Sequence, residues 1–525
     1  MSPGLNRRPI DGDAYRVGRR CRREFLSLVF DPPIAERDGA LENHRFMPAR
    51  GVSPVTVGSE ILGLARAYCE SRSETQPQAD ERVHAPWVVT ADRLRFEFSY
   101  AVERSDGAFD AVLFRSVARV REAEILELGF ALYLCERAGI VLDRMYLLGL
   151  SSSYRRNGPL DPESLFRFSD VSAAARRSRD RARQEVPTLL AEAEAHAERI
   201  EKLNAADANA GSQSGQSGQS GQSVYAARAA RAAMNAVARC ERLGLCPICD
   251  GRRDLLAIDD LRTLGGKRAH LKEWYRDGYR LISELPEDAR LDPPQEAQRH
   301  AVITGKPVVK HEELGRFLDG LRFPALFLDF EAVNSALPLY DDTAPFEHVP
   351  FLVSAHLLAA PGSEINAEHT DYVMAPGRDE RPALAAVVAE AVSQADSIVV
   401  FDATFERRVL GYLGDCAPQS AEPLRAAQRR LFDLLLPFRS LWYYHSEQRG
   451  RYSMKTVVPA LCGLDWADLA VADGRRAGEA YLRLCIAPDA GDRDTVLHEL
   501  RRYCRRDTAA MIALYRALTN ALTEA

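Results

Sequence analysis

The sequence predicts an α/β protein built from more than one domain. Its 525 residues exceed what a single hydrophobic core usually serves. Strand-like apolar runs also alternate with helical patterns in both halves of the chain. Between the halves, residues 205–223 are a low-complexity run of Gly, Ser and Gln that cannot bury a core. We therefore expect one domain over residues 1–250 that contains this flexible linker, a helical connector over 251–322, and a second domain over 323–525.

The composition is ordinary for a soluble globular protein, with 46% hydrophobic and 27% charged residues and a net charge of −6. The chain has no apolar run long enough to span a membrane and no apolar signal core near residue 1. We expect a cytoplasmic protein with no membrane partner. Four arginines near the end, Arg501, Arg502, Arg505 and Arg506, either contact phosphates or form a solvated charged face.

In the first half, helical and alternating apolar patterns predict a core of helix, hairpin, helix and strand. In chain order the elements are helices over residues 13–30 and 59–69, strands over 95–102 and 108–114, a helix over 120–138 and a strand over 144–150. The two hairpin strands are joined by the turn Glu-Arg-Ser-Asp-Gly. A charged, alanine-rich pattern predicts a further helix over residues 172–204.

A second α/β unit begins near Phe323. Short apolar runs predict its strands, and longer amphipathic patterns predict its helices. Strands are expected over residues 325–330, 351–358 and 397–401, and helices over 381–394, 404–413, 422–435, 453–460, 475–484 and 495–521.

Two acids lie in the first strand of this second unit, which reads FLDFEA. Asp329 and Glu331 are two residues apart, so both side chains point to the same face of the strand. An apolar strand has little reason to bury two acids on one face unless a cation meets them. A divalent ion such as Mg²⁺ or Mn²⁺ suits carboxylate oxygens.

Further acids follow at two other places. The segment SIVVFDATFERR carries Asp402 and Glu406 where a strand passes into a helix, and YCRRD places Tyr503 and Asp507 one turn apart on a helix. Two metal ions held by several carboxylates can hydrolyse a phosphodiester, and a phenol can orient the attacking water. Each pair alone is also compatible with a solvated position, and it is their combination and order that point to chemistry.

This ordered set resembles the DEDDy branch of DnaQ-like exonucleases, which have an RNase H-like fold. The resemblance implies a 3′–5′ exonuclease acting on DNA or RNA, expected to be single-stranded, with two Mg²⁺ or Mn²⁺ ions. It implies that Asp329 bridges both ions, that Glu331 and Asp507 hold one, and that Glu406 helps hold the other. Tyr503 would position the water.

The second motif departs from the N-x-x-F-D form that is common in that superfamily, because it reads Asp402-Ala-Thr-Phe-Glu406. Asp433 and Lys455 also match recurring downstream positions. For Asp433 we expect a helix-capping or supporting role, and for Lys455 either a phosphate contact or a surface position. The runs FLDFEAVNSALPLYDDTAPFEHVPF, FDATFERRVL and RYSMKTVVPAL resemble the bacterial family called domain of unknown function 2779, over roughly residues 323–520.

Members of that family often carry an amino-terminal RecB-like nuclease domain of the PD-(D/E)XK type, and the cysteines of the first half resemble its iron–sulphur ligands. Cys21 lies in DAYRVGRRCRREFLSLV, and ARCERLGLCPICD supplies Cys240, Cys246 and Cys249. Four thiolates suit a [4Fe–4S] cluster. A zinc ion is the alternative, since the C-x5-C-x2-C spacing differs from the C-x2-C-x5-C form common in such nucleases.

The RecB-like resemblance places Tyr100, Leu113 and Arg115 where that nuclease would carry an acid and an E-x-K motif, and Ala131 where its helix often offers a glutamine or tyrosine. Without an acid pair no metal is held, so we expect an inactive nuclease fold that serves as a substrate-binding scaffold. Two alternatives stay open. Asp110 could support a residual second nuclease site, or the whole protein could be a non-catalytic nucleic-acid-binding or assembly protein.

Overall fold

The computed structural model describes residues 9–20, 58–72, 75–78, 80–211, 256–267, 269–364, 368–486 and 493–523. They fall into two compact units, unit 1 up to residue 211 and unit 2 from residue 256 onward. Each unit contains its own five-stranded sheet with packed helices, so the predicted mixed α/β class is confirmed. Within these ranges no helix combines the length and apolar character needed to cross a membrane.

Unit 1 is built on a sheet whose strand order is β1-β4-β5-β6-β7. Its strands are β1 (Arg82–His84), β2 (Trp87–Ala91), β3 (Leu94–Phe98), β4 (Tyr100–Glu103), β5 (Phe109–Phe114), β6 (Leu142–Leu150) and β7 (Phe166–Asp170). Its helices are α1 (Gly12–Arg20), α2 (Gly58–Ser71), α3 (Glu122–Arg137), α4 (Pro162–Leu165) and α5 (Ser172–Gly211). Strands β5 and β6 run parallel, which requires a crossover, and α3 supplies it.

The core of unit 1 lies where α3 packs against the sheet on one side and against α5 on the other. Gly129 allows α3 to pack closely against α5, because a Cβ atom at this position would lie 2.6 Å from the Cβ atom of Ser178. The start of α3 is stabilised locally, since the Glu124 side chain accepts a hydrogen bond from the backbone N–H of Arg121 at 2.9 Å.

Some features of unit 1 differ from the sequence prediction, and one prediction lies partly outside the described residues. The strand expected over residues 95–102 is two strands, because the chain changes partner at Ser99: β3 pairs with β2 and β4 pairs with β5. Helix α5 continues to Gly211, so residues 205–211 of the predicted linker are helical, and 212–223 lie outside the described residues. The first helix is described only as far as Arg20.

Unit 2 contains the second five-stranded sheet and most of the described helices. Its strands are β8 (Val308–Val309), β9 (Ala325–Asn334), β10 (His348–Leu358), β11 (His369–Val373), β12 (Ser397–Val400), β13 (Leu431–Asp433) and β14 (Tyr443–Tyr444). Its helices are α6 (Leu271–Arg276), α7 (Pro293–Thr304), α8 (His311–Leu318), α9 (Arg381–Ser393), α10 (Ala403–Cys416), α11 (Ala421–Arg429), α12 (Leu436–Arg439), α13 (Met454–Cys462), α14 (Gly474–Ile486) and α15 (Arg493–Asn520).

The sheet of unit 2 has the order β11-β10-β9-β12-β13. Strands β9, β10 and β11 form an antiparallel meander, whereas β12 and β13 run parallel to β9. The strand that carries the Asp-x-Glu motif is therefore central, with α14 and α15 packed on it. Both helices approach the strand where Glu331 lies, since Gly474 of α14 and Asp507 of α15 come close to that side chain.

The segment predicted as a separate helical connector is part of unit 2. Strand β8 pairs with β14, and a small core forms around Leu264, Leu271 and Ile282. Backbones touch where Gly450 meets Gly265, because a Cβ atom on Gly450 would lie 2.6 Å from the Gly265 nitrogen. Residues 256–322 thus help to shape the loop that precedes α13.

The helix expected over residues 422–435 is also shorter than predicted. It ends at Arg429, and the apolar residues that follow form β13, parallel to β12. The edge strand β11 was not predicted either. A three-residue strand and an edge strand with exposed side chains both lack the apolar periodicity that marks longer elements.

Candidate metal centre

Three acids of unit 2 converge at the centre of its sheet. Asp329 and Glu331 project from β9, and Asp507 projects from α15, which packs across β9 and β10. One carboxylate oxygen from each comes within 4.8 Å of the other two. Asp329 is partly exposed, whereas Glu331 and Asp507 are buried. The structure thus brings the two acids of the strand next to an acid of the last described helix.

Burial and mutual repulsion make it unfavourable for these three acids to be ionised together in the absence of a cation. Burial and the neighbouring acids raise the pKa of Glu331 well above its usual range, and burial followed by the charge of Asp507 does the same for Asp329. Burial also raises the pKa of Asp507, although contacts with Lys455 oppose the change. Three hard oxygen donors this close together suit a divalent ion such as Mg²⁺ or Mn²⁺.

Asp507 has a resident cation, the ammonium group of Lys455. The Nζ atom donates to Asp507 Oδ1 at 2.7 Å, and the Trp466 indole N–H donates to the same oxygen at 2.6 Å. The ammonium lies 3.5 Å from the centre of the Trp466 ring and 4.4 Å from that of Tyr503. The Lys455 side chain is 32% exposed, so it is neither fully solvated nor sealed off. Two donors thus hold the Oδ1 atom of Asp507.

Tyr503 lies one helical turn before Asp507 and is 3% exposed. Burial, and then the charges of Glu331 and Asp507, raise the pKa of its phenol, whose hydroxyl hydrogen-bonds to Asp507. The adjacent Cys504 thiol is buried and lies 3.4 Å from Asp329 Oδ2. Tyr503 is thus a neutral donor at the cluster.

Glu406 approaches from another direction and is not one of the three acids that meet within 4.8 Å. It lies in the first turn of α10, is 4% exposed, and its Oε2 atom is buried with no hydrogen-bond partner. Burial, and then the charge of Asp329, raise its pKa well above the usual range. A buried carboxylate oxygen without a partner is expected where a cation ligand lacks its ion. Glu406 Oε2 therefore fits an additional cation ligand near Asp329.

Asp402 and Asp433 support the start of α10. Asp402 adopts a left-handed conformation with φ of 72° and caps the helix by accepting from the Thr404 N–H at 3.3 Å. Asp433 Oδ1 accepts from the backbone N–H groups of Asp402 and Leu435, both at 3.0 Å. Both acids therefore hold the turn that presents Glu406.

Sequence reasoning missed Trp466 and Cys504 and left the position of Lys455 open. Cys504 could have been found from helical spacing, because it lies three residues before Asp507 on the same face. Trp466 and Lys455 come from segments that no local pattern connects to the acids.

In unit 1 the candidate nuclease positions have structural partners. The Tyr100 hydroxyl donates to the Thr75 carbonyl at 3.3 Å, and Leu113 and Ala131 are fully buried. Arg115 forms a two-pronged ion pair with the buried carboxylate of Glu127. No group of three potential metal ligands occurs among the described residues of unit 1.

The carboxylate of Asp110 also has partners within unit 1. Its Oδ1 atom accepts from the Arg144 backbone N–H at 3.1 Å, and its Oδ2 atom lies 3.5 Å from the Arg104 guanidinium. These contacts tie β5 to β6 and to the hairpin turn.

The predicted cluster ligands Cys21, Cys240, Cys246 and Cys249 lie outside the described residues. The six cysteines that the structure does describe are free thiols, and three of them, Cys69, Cys135 and Cys504, are buried.

The model of the family described as "Domain of unknown function (DUF2779)" matches residues 326–453. The matched segment contains Asp329, Glu331 and Glu406 and ends before Lys455, so Tyr503 and Asp507 lie beyond it. The match supports the family that this part of the sequence resembles. No curated protein and no solved structure matches the chain.

Proposed function

We propose that unit 2 is a divalent-metal-dependent 3′–5′ exonuclease that hydrolyses DNA or RNA, with single-stranded ends as substrate. The observation that carries the proposal is the convergence of Asp329, Glu331 and Asp507, which come from the central strand and the last helix. Burial of like charges on this scale is costly unless the chain is built to hold cations.

Each residue has a definite task in this proposal. Asp329, Glu331 and Asp507 would hold one divalent ion, and Asp329 together with the orphaned carboxylate of Glu406 would hold a second. When bound, such ions stabilise the charge that develops on the attacking and leaving oxygens of a phosphodiester. Tyr503 orients the attacking water through its hydroxyl group. Lys455 keeps Asp507 Oδ1 occupied, so that Asp507 presents its other oxygen.

An RNase H-like fold is part of this proposal. An antiparallel meander continued by two parallel strands, with the Asp-x-Glu strand at its centre, supports that assignment. Glu406 follows the neighbouring parallel strand β12, so the acids meet near adjacent strands of one sheet.

For unit 1 we propose a degenerate RecB-like fold that has kept its shape and lost its catalytic acids. The Arg115–Glu127 ion pair and the buried Leu113 and Ala131 support this reading. Its role would be to bind nucleic acid as a scaffold. A [4Fe–4S] cluster, or alternatively a zinc ion, would be held by Cys21, Cys240, Cys246 and Cys249.

The test is degradation of oligonucleotides labelled at the 5′ or the 3′ end, both DNA and RNA, by the full chain in Mg²⁺ or Mn²⁺. We expect loss of nucleotides from the 3′ end that stops on addition of a chelator. Asp329→Asn should be inactive and should melt as a folded protein. Activity that persists in Asp329→Asn, or no cleavage of any substrate by the wild type, would refute the proposal.

The second candidate is a non-catalytic nucleic-acid-binding or assembly protein. Two observations favour it: Asp507 already has a cation partner in Lys455, and Glu406 is not among the three acids that meet within 4.8 Å. Calorimetric titration with Mg²⁺ separates the two candidates, because the exonuclease should bind divalent ions through Asp329 and the non-catalytic protein should not.

A further inference from the structure

We propose that Gly474 is a positioning residue for Glu331 and that its missing side chain sets the preference of the site for small divalent ions. This inference rests on the proposed metal centre. A Cβ atom on Gly474 would lie 3.0 Å from Glu331 Oε2 and 3.7 Å from Oε1. The Glu331 carboxylate therefore lies closer to a Cβ atom at position 474 than most Cβ contacts allow, and it would have to shift by a few tenths of an ångström.

Gly474 is the first residue of α14, and the helix is firmly placed. Asp473 Oδ1 accepts from the backbone N–H of Arg476 at 2.9 Å, which fixes the start of the helix. A second glycine, Gly478, brings the same helix against β9, because a Cβ atom there would lie 3.2 Å from the Ala332 carbonyl oxygen. The backbone at 474 cannot easily withdraw, so an added methyl group displaces Glu331 instead.

The atom displaced is the far end of a flexible side chain. A shift of a few tenths of an ångström relieves the contact without disturbing the core. Mg²⁺ requires near-ideal octahedral geometry with ligands at about 2.0–2.1 Å, whereas Ca²⁺ accepts irregular geometry at about 2.3–2.6 Å. A displaced Glu331 thus impairs Mg²⁺ binding more than Ca²⁺ binding.

The same substitution has no reason to weaken the fold. Alanine favours the helix over glycine, and the neighbour that must move is a carboxylate that is itself crowded by other acids. Loss of metal affinity without loss of stability is the signature that separates a positioning role from a packing role.

The experiment is calorimetric titration of the metal-free full chain with Mg²⁺ alone and with Ca²⁺ alone. The variants are Gly474→Ala and a matched control, Gly315→Ala, a helical glycine whose added Cβ atom would make only an ordinary contact of 3.8 Å with Leu522. We expect Gly474→Ala to weaken Mg²⁺ binding about tenfold and Ca²⁺ binding by less than about threefold. Its melting temperature in chelator should not fall, and Gly315→Ala should match the wild type in both affinities.

A second variant tests the contact itself. Shortening the side chain with Glu331→Asp in the Gly474→Ala background withdraws the carboxylate from the methyl group. The double variant should therefore lose less Mg²⁺ affinity than the product of the two single losses.

Equal Mg²⁺ affinity in Gly474→Ala and the wild type overturns the role of Gly474, as does a parallel loss for both ions that is accompanied by a lower melting temperature. If the wild type binds Mg²⁺ through Asp329, the proposed metal centre survives either result. If the wild type binds neither ion, the metal centre and the role of Gly474 fall together.

Discussion

Replacing Asp329 with asparagine removes one of the three carboxyl groups that meet at the central strand of unit 2, and its effect should depend on pH. Burial and then the charge of Asp507 raise the pKa of Asp329 to about 8. In the unfolded chain an aspartate ionises near pH 4. Between these two values the folded, metal-free protein keeps a proton that the unfolded chain has lost, so its stability falls as the pH rises through this window.

The size of the fall follows from that window. One such carboxyl group lowers the free energy of unfolding by about 1.4 kcal/mol per pH unit, or by nearly 3 kcal/mol between about pH 5.5 and 7.5. Asp329 is partly exposed, and solvent screening reduces the figure to about 2 kcal/mol. For a unit of this size the corresponding change in melting temperature is about 5 °C.

The measurement is thermal unfolding of wild type and Asp329→Asn at several pH values, in chelator and in excess Mg²⁺. In chelator the wild type should lose stability towards pH 7.5 relative to the variant, and Mg²⁺ should remove most of that loss in the wild type only. Parallel pH curves for the two proteins would refute the reasoning, because Asp329 would then carry no shifted pKa.

Three further outcomes are expected. Lys455→Met leaves Asp507 without its cation and should lower the stability of metal-free unit 2 by about 2 kcal/mol, as measured by urea unfolding. Tyr503→Phe removes the hydroxyl group and keeps the ring over Lys455, so it should lower kcat of the proposed reaction about 100-fold and leave Mg²⁺ affinity unchanged. Gly129→Ala should destabilise unit 1 by about 2 kcal/mol, since its Cβ atom would meet the Ser178 backbone at 2.7 Å.

Each of these has a matched control. The cost of Lys455→Met should shrink when Asp507→Asn is already present, and an unchanged cost in the double variant contradicts the ion pair. Equal effects of Tyr503→Phe on kcat and on Mg²⁺ affinity would assign Tyr503 a purely structural role. Gly63→Ala, in a helix where the added Cβ atom meets nothing within 4 Å, should not destabilise the protein.

The parts of the site that could be predicted from the sequence are those with a local period. Asp329 and Glu331 share a face because strand side chains alternate, and Tyr503 and Asp507 share one because a helix repeats every 3.6 residues. The α/β class followed from the same periodicities. None of these inferences needs a contact between distant segments.

The unpredicted parts depend on such contacts. Lys455 and Trp466 lie 52 and 41 residues before Asp507 in the chain, and no local period in the sequence predicts that they contact this acid. The arginines near the end are similar. Arg501 forms an ion pair with Asp371 at 2.8 Å, and Arg506 forms one with Asp468 at 3.0 Å. The guanidinium groups that we considered for phosphate binding thus pair with carboxylates remote in sequence.

The order of the acids along the chain has a consequence for biosynthesis. Asp329 and Glu331 are translated early in unit 2, but Asp507 belongs to α15, the last described helix, which must dock across β9 and β10 to complete the cluster. Until α15 has been synthesised and has docked, the nascent chain consequently carries an incomplete set of these acids.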